Sequence, residues 1–131
     1  MNVDNTLLNN LTAQAQASPR LRMNMDLRNS AADTSQRMLN AIEPGSVVPI
    51  HRHRKTSETV VVLRGRAVQY LYDDEGRETG SVLLAPGSEI PAMQVEIGQW
   101  HRIEALESGT VILEMKDGAY EPIGAEDVME R

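Results

Sequence analysis

Three histidines and one glutamate carry the clearest chemical signal in this sequence. His51 and His53 lie two residues apart, Glu58 follows them closely, and His101 is the only other histidine of the chain. Three neutral imidazoles and one carboxylate suit Fe(II), Mn(II), Ni(II) or Zn(II). We predict that these side chains bind one divalent metal ion (Fe, Zn, Ni or Mn). A six-coordinate ion would then keep two positions open for water, dioxygen or substrate.

β-strands must bring these ligands together. We predict a strand through residues 47–53, in which His51 and His53 share one face because side chains alternate along a strand. Val47 and Pro49 would lie on that same face. Arg52 would lie on the opposite face, so its replacement should leave the metal in place.

The other two ligands belong to separate predicted strands. Glu58 opens the β-branched run 58–64 beside a polar turn, from which its carboxylate can reach back towards the histidines. His101 begins a strand over 101–106 on the face of Ile103 and Ala105, so we expect it to look inward.

Each histidine also has an interpretation without a metal. His51 and His53 stand among basic residues, which would suit an exposed loop, and an inward His101 would suit an ordinary core position. The joint arrangement of strand phase, glycine turns and all three histidines favours the metal site.

These residues resemble the first motif of the cupin superfamily, which runs glycine, His-x-His, glutamate, glycine. The matching positions, without a gap, are Gly45, His51, His53, Glu58 and Gly65. The second cupin motif, Pro-x-Gly-x-x-His, is matched at Gly98 and His101, with Glu96 in place of the proline. The resemblance implies that the metal ligands are His51, His53, Glu58 and His101.

Within that superfamily, residues 18–122 resemble the WbuC family of cupin-fold metalloproteins. The segments that carry this resemblance are 18–24, 36–37 with 39–40, 51–53, 73–76, 100–101 and 116–120. The sequence departs from the family where Ile50 separates Pro49 from His51, where Ala119 replaces a proline, and throughout 124–131. The family's association with surface-polysaccharide genes implies a sugar or sugar derivative as the candidate substrate.

Composition narrows the class of protein. The 131 residues suit one domain, and the formal net charge of -6 argues against nucleic acid as a partner. The sequence has no cysteine, no apolar run near the ~20 residues of a membrane span, and no signal-peptide pattern. We therefore predict a cytoplasmic protein that neither enters a membrane nor binds nucleic acid.

The pattern of elements predicts an all-β, jelly-roll barrel, the double-stranded β-helix that the cupin resemblance also implies. Short strands alternate with turns over 18–122, which would form the barrel. Residues 1–17 would add a helical or extended segment, with Asp4 as the N-cap of a helix, or else a disordered arm. Residues 123–131 would be a tail, as a short helix or frayed. Several strands are apolar on both faces, so the N-terminal segment or a second copy must cover one face, and we predict a homodimer.

The favoured function is a metal-dependent enzyme acting on a small molecule, as an oxygenase or an isomerase, with Glu58 as a base if it leaves the ion. Five further residues are candidates for substrate binding, although packing or solvation would equally explain them: Tyr70, Trp100, Arg22, Arg37 and Lys116. The alternative is a non-enzymatic module that binds or senses a metal or a ligand. A third possibility, a metal-free sugar-epimerase-like cupin, is disfavoured because all four ligand positions are filled.

Overall fold

The chain begins with a helix whose start is set by one side chain. The computed structural model describes residues 1–129. Helix α1 (Asn5–Ala17) begins after Asp4, which accepts a hydrogen bond of 3.0 Å from the backbone N–H of Leu7. Such an N-cap satisfies a backbone donor that the helix itself leaves free. The predicted helix, its cap and its end at Ser18 are confirmed.

Two five-stranded antiparallel sheets follow the helix. The strands are β1 (Arg22–Asp26), β2 (Ser35–Ile42), β3 (Ile50–His51), β4 (Glu58–Arg64), β5 (Ala67–Tyr72), β6 (Glu78–Leu84), β7 (Ala92–Val95), β8 (Trp100–Ala105), β9 (Thr110–Asp117) and β10 (Val128–Met129). The first sheet has the order β1-β2-β9-β4-β7, and the second has the order β10-β3-β8-β5-β6. The predicted all-β jelly-roll fold is confirmed.

The space between the sheets is apolar at one end and polar at the other. On β8 the inward residues run from His101 through Ile103 to Ala105, and on β4 they run from Glu58 to Val60 and Val62. The apolar ends join one core cluster, which consists of Ile42, Val60, Val62, Ala67, Leu84, Ile103, Ala105 and Ile112. The polar ends of the same two strands are therefore held over a well-packed base.

Helix α1 covers the outer face of the first sheet. Its buried residues Leu8, Leu11 and Ala15 pack on Leu39 of β2 and Val111 of β9. This contact supplies the cover that the doubly apolar strands require. The sequence pattern predicts this cover from either the N-terminal segment or a second copy of the chain. Helix α1 is the first of these, and the homodimer stays a prediction.

The C-terminal segment joins the barrel more closely than the sequence suggests. A 3-10 helix (Ala125–Asp127) leads into β10, which pairs with β3 through Val128 opposite His51. Two residues show no alternation, so the sequence could not reveal this strand. Residues 130–131 of the predicted tail lie outside the described part of the chain. Within residues 1–129, no helix has the length and apolar character needed to cross a membrane.

Candidate metal centre

The two sheet strands β3 and β8 bring His51 and His101 face to face. These residues are direct partners in the antiparallel register, and their ring centroids are 4.3 Å apart. The ring of His53 lies 5.2 Å from that of His51 and 5.4 Å from that of His101. Each imidazole offers one nitrogen within 4.8 Å of the other two. The structure therefore gathers all three histidines around one point.

The strand that carries the first two histidines is much shorter than predicted. β3 contains only Ile50 and His51, so His53 follows the strand. Val47 was predicted to share the face of the histidines, but it is 80% exposed, while Val48 packs against the core. Pro49 has no backbone N–H to donate to a ladder, which explains why regular pairing starts only after it. The backbone of His53 is held instead by its carbonyl, which accepts a hydrogen bond of 2.8 Å from the N–H of Gly98.

Backbone carbonyls determine which nitrogen of two histidine rings is free. The Nδ1 atom of His51 lies 2.8 Å from the carbonyl oxygen of Pro49, and Nδ1 of His101 lies 2.8 Å from that of Gln99. A carbonyl only accepts, so both Nδ1 atoms carry the proton and both Nε2 atoms keep a lone pair. This outer hydrogen bond is the usual support of a metal-binding histidine.

Two of the ring nitrogens that face the centre form no regular hydrogen bond. Nε2 of His53 and Nε2 of His101 are buried without a hydrogen bond, and His101 is only 2% exposed. Burial, together with the neighbouring His101, lowers the pKa of His51 to about 4. Burial also lowers the pKa of His101. His51 and His101 are therefore neutral near pH 7, which is the form that binds metals.

Glu58, the predicted fourth ligand and the first residue of β4, lies beside two of the three histidines. Its Oε2 lies 3.1 Å from Nε2 of His53, and its Oε1 lies 4.0 Å from Nε2 of His101. The closer approach is a direct polar contact between the carboxylate and the imidazole. Burial opposes ionisation of Glu58, but His53, His101 and the Lys116 ammonium 3.7 Å away outweigh it and lower its pKa. Three imidazoles and a carboxylate fit a divalent transition metal.

A cavity of about 350 Å³ opens beside this centre. All four predicted ligands line it, as do Arg22 and Lys116 among the predicted substrate-binding residues. The volume lies at the lower end of the range for small-molecule sites. The site therefore combines a metal-ligand set with room for a small ligand.

The other three predicted substrate-binding residues do not line this cavity. Trp100 precedes His101 on β8 and so faces outward, where its Nε1 donates to Asp74 at 3.1 Å. The ring of Tyr70 lies against the guanidinium of Arg102, with 4.5 Å from Cζ to the ring centroid.

The third of these residues, Arg37, is engaged beside the loop before β2. Its Nη1 donates to Asp33 at 3.1 Å and to the carbonyl of Ser35 at 2.7 Å. The structure thus places two of the five candidates at the cavity and gives the other three contacts elsewhere.

Several polar residues on the cavity wall were missed by sequence reasoning, namely Arg20, Asn24, Asn40, Gln69, Glu114 and Tyr120. Asn40 of β2 and Glu114 of β9 both face inward, and Asn40 Nδ2 donates to Glu114 Oε1 at 3.2 Å. Burial, with the nearby charge of Glu58, raises the pKa of Glu114 to about 7. The sequence could have indicated both positions, because Asn40 lies two residues from the buried Ile42 and Glu114 lies two residues from the buried Ile112, on the same strand face in each case.

The C-terminal segment closes one side of the site. Asp127 accepts hydrogen bonds from Arg52 at 2.8 Å and from Arg54 at 2.5 Å, on either side of His53. The guanidinium of Arg52 also lies 4.5 Å from the centroid of the Trp100 ring. These contacts show that the Arg52 side chain points away from the predicted metal ligands. They also hold Val128 where it lines the cavity.

Comparison with solved structures identifies the fold class. KdgF from Halomonas sp. aligns with a TM-score of 0.60 and 17% identity, over 79% of this chain and 84% of that protein. CapF from Staphylococcus aureus, a capsular polysaccharide assembling protein, aligns with a TM-score of 0.68 and 19% identity, over 86% of this chain but 32% of its own. Oxalate decarboxylase from Bacillus subtilis, which has Mn(II) centres, aligns with a TM-score of 0.58 and 22% identity, over 77% of this chain and 26% of its own. The chain has the cupin fold.

The family is given by sequence. Residues 3–84, more than half of the chain, match the model of a family described as a domain of unknown function (DUF6016). The chain belongs to this family. Comparison with curated protein sequences finds no match.

Proposed function

We propose that this protein binds one divalent metal ion through His51, His53, His101 and Glu58 and acts on a small molecule in the adjoining cavity. One observation carries the proposal: three imidazoles converge within 4.8 Å, and two of their Nε2 atoms are buried without a regular hydrogen bond beside the Glu58 carboxylate. Buried polar atoms normally have partners, and an ion at this point would supply one. The Mn(II) centres of oxalate decarboxylase, a protein of the same fold, support this interpretation.

The metal would supply Lewis-acid chemistry, polarising a substrate oxygen or lowering the pKa of a bound water. The protein's own groups then bind and orient the substrate. Glu58 is the proposed fourth ligand, and it is the proposed base if it leaves the ion. His53 and His101, together with Lys116 3.7 Å from Glu58 Oε2, lower the pKa of that carboxylate.

A sugar or sugar derivative is the proposed kind of substrate. The finer resemblance to the WbuC family rests on short sequence segments, and CapF supports the same direction as a capsular polysaccharide assembling protein of similar fold. We also propose that the protein is a homodimer. Light scattering on the purified protein tests it directly: a mass near twice the chain's 14.5 kDa supports it, and 14.5 kDa refutes it.

Cobalt substitution distinguishes an open, reactive site from a closed, structural one. Protein loaded with Co(II) should show the visible absorption of a bound ion, and azide should shift those bands because a coordination position is open. The His53→Ala variant is the control and should lack the bands. Absence of the bands in the unaltered protein would overturn the proposal. Bands that azide leaves unchanged would favour the non-enzymatic binding module.

A further inference from the structure

Arg22 is a half-buried cation that faces the cavity without an anionic partner. Its Nη1 donates to Ser46 Oγ at 3.2 Å and to the carbonyl of Val47 at 2.9 Å, and both acceptors are uncharged. Among residues 1–129 it forms no ion pair, and burial together with Arg20 lowers its pKa. Buried charges are normally paired, because removing them from water is costly. The unpaired guanidinium therefore suits an anion that comes from outside the chain.

The cavity is positively charged within an acidic protein. The whole chain carries a formal net charge of -6, yet Arg20, Arg22 and Lys116 line the cavity against Glu58 and Glu114. A divalent ion at the histidines would add two further positive charges. Lys116 is already beside Glu58, and Arg20 is exposed at the rim. Arg22 is thus the cation best placed to pair with a ligand, in a cleft whose field attracts anions.

Uncharged polar groups line the same cavity as Arg22 and the candidate metal centre. Asn24 shares the inward face of β1 with Arg22 and is the direct cross-strand partner of Asn40. Asn40 donates to Glu114, but its own Oδ1 is buried without a hydrogen bond. An unpartnered acceptor beside a cavity calls for a donor from a ligand, and a hydroxyl group is the simplest one.

We propose that this cavity binds a small hydroxylated organic anion, with its anionic group on Arg22 and its hydroxyl groups on Asn40 and Glu114. The proposal rests on the proposed function, because the far end of the ligand is taken to reach the metal centre. A carboxylate and a phosphate share this chemistry, since the guanidinium fork pairs with either.

Calorimetric titration of the metal-loaded protein tests the ligand class with six-carbon probes. D-Gluconate carries both hydroxyls and a carboxylate, D-glucitol lacks the anion, and hexanoate lacks the hydroxyls. Gluconate should bind at least about tenfold more tightly than either of the others. D-Glucose 6-phosphate binding in place of gluconate would also support the proposal, with phosphate as the anion. Glucitol or hexanoate binding as tightly as gluconate would overturn it, as would no binding of any anionic probe.

Two matched variants then locate the anion. Arg22→Gln should weaken binding of the preferred anion by about 10- to 100-fold, while Arg77→Gln removes the same charge from an exposed turn and should change nothing. Equal affinity in Arg22→Gln and the unaltered protein would overturn the role of Arg22. If Arg22→Gln does not fold, Arg22→Lys should weaken binding severalfold, and unchanged affinity would overturn the role.

Metal analysis of each sample separates this inference from the proposed function. Arg22→Gln should keep its metal while losing the anion. An unaltered protein that holds no metal would overturn the proposed function alone, and the same titrations on that metal-free protein would then decide the role of Arg22.

Discussion

The turn at Gly65 offers a quantitative test of the packing beneath the site. Gly65 ends β4 with φ of +85°, and a Cβ added there would lie 2.3 Å from Thr110 Oγ1 and 2.6 Å from Thr110 Cα. Thr110 is fully buried, and its Oγ1 donates to the carbonyl of Glu107 at 2.8 Å. Neither the backbone nor this anchored side chain can move away freely. Gly65→Ala should therefore strain both the turn and its neighbour.

The expected loss of folding stability in Gly65→Ala has two parts. An L-residue in the left-handed region costs about 1–2 kcal/mol, and overpacking a filled interior costs about 1–3 kcal/mol. Gly65→Ala should thus lower the free energy of unfolding by about 2–5 kcal/mol. Gly87 is a matched control, because its φ is +72° and a Cβ there would meet nothing within 4 Å. Gly87→Ala should cost only about 1–2 kcal/mol.

Urea unfolding followed by circular dichroism measures both losses, with the slope m checked for constancy. Gly65→Ala should be clearly the more damaging substitution. Equal losses of stability in the two variants would refute the predicted clash with Thr110, because the conformational cost alone would then account for Gly65.

Two further predictions concern groups that fix helix α1 and the turn before β9. Glu43 accepts hydrogen bonds from Ser108 Oγ at 2.5 Å and from the Gly109 N–H at 2.7 Å. Burial opposes the ionisation of Glu43, but these hydrogen bonds outweigh the effect of burial and lower the pKa of its carboxyl group. A lowered folded-state pKa stabilises the protein above the unfolded value of about 4.3 and ceases to do so as pH falls through the folded value. Glu43→Gln should therefore lower stability by about 1–3 kcal/mol at pH 7, and the gap to the unaltered protein should close in thermal melts at acidic pH; a pH-independent gap would contradict this role. Leu11→Ala should lower the free energy of unfolding in urea by about 2–5 kcal/mol, because Leu11 is buried between α1 and the first sheet. The exposed control Asn10→Ala should cost nothing. Equal effects of the two substitutions would contradict the packing of α1.

Much of the fold could be predicted because local patterns and tertiary burial agree. The alternation of β4 and β8 placed Glu58 and His101 inward, and Asp4 marked the start of α1. In each of these elements, the apolar positions repeat with the period of the structure that forms.

The parts that could not be predicted depend on contacts between distant segments. β10 exists only because it pairs with β3, and Pro49 shortens β3 in a way that an alternating pattern conceals. Asn40 and Glu114 look like ordinary polar strand residues until the two sheets close over them. The ligand types were visible in sequence, but the cavity wall is a product of the assembled barrel.

The metal content of purified protein is the most direct test of the central claim. We would purify the chain without added metal or a histidine tag, together with His101→Ala and the control Arg52→Gln, whose side chain pairs with Asp127 on the outside. The account predicts about one equivalent of metal in the unaltered protein and in Arg52→Gln, and none in folded His101→Ala. Iron would direct substrate screening to oxygen chemistry, and zinc, nickel or manganese to isomerisation or hydrolysis. Metal that persists in His101→Ala, or an unaltered protein without metal, would contradict the account.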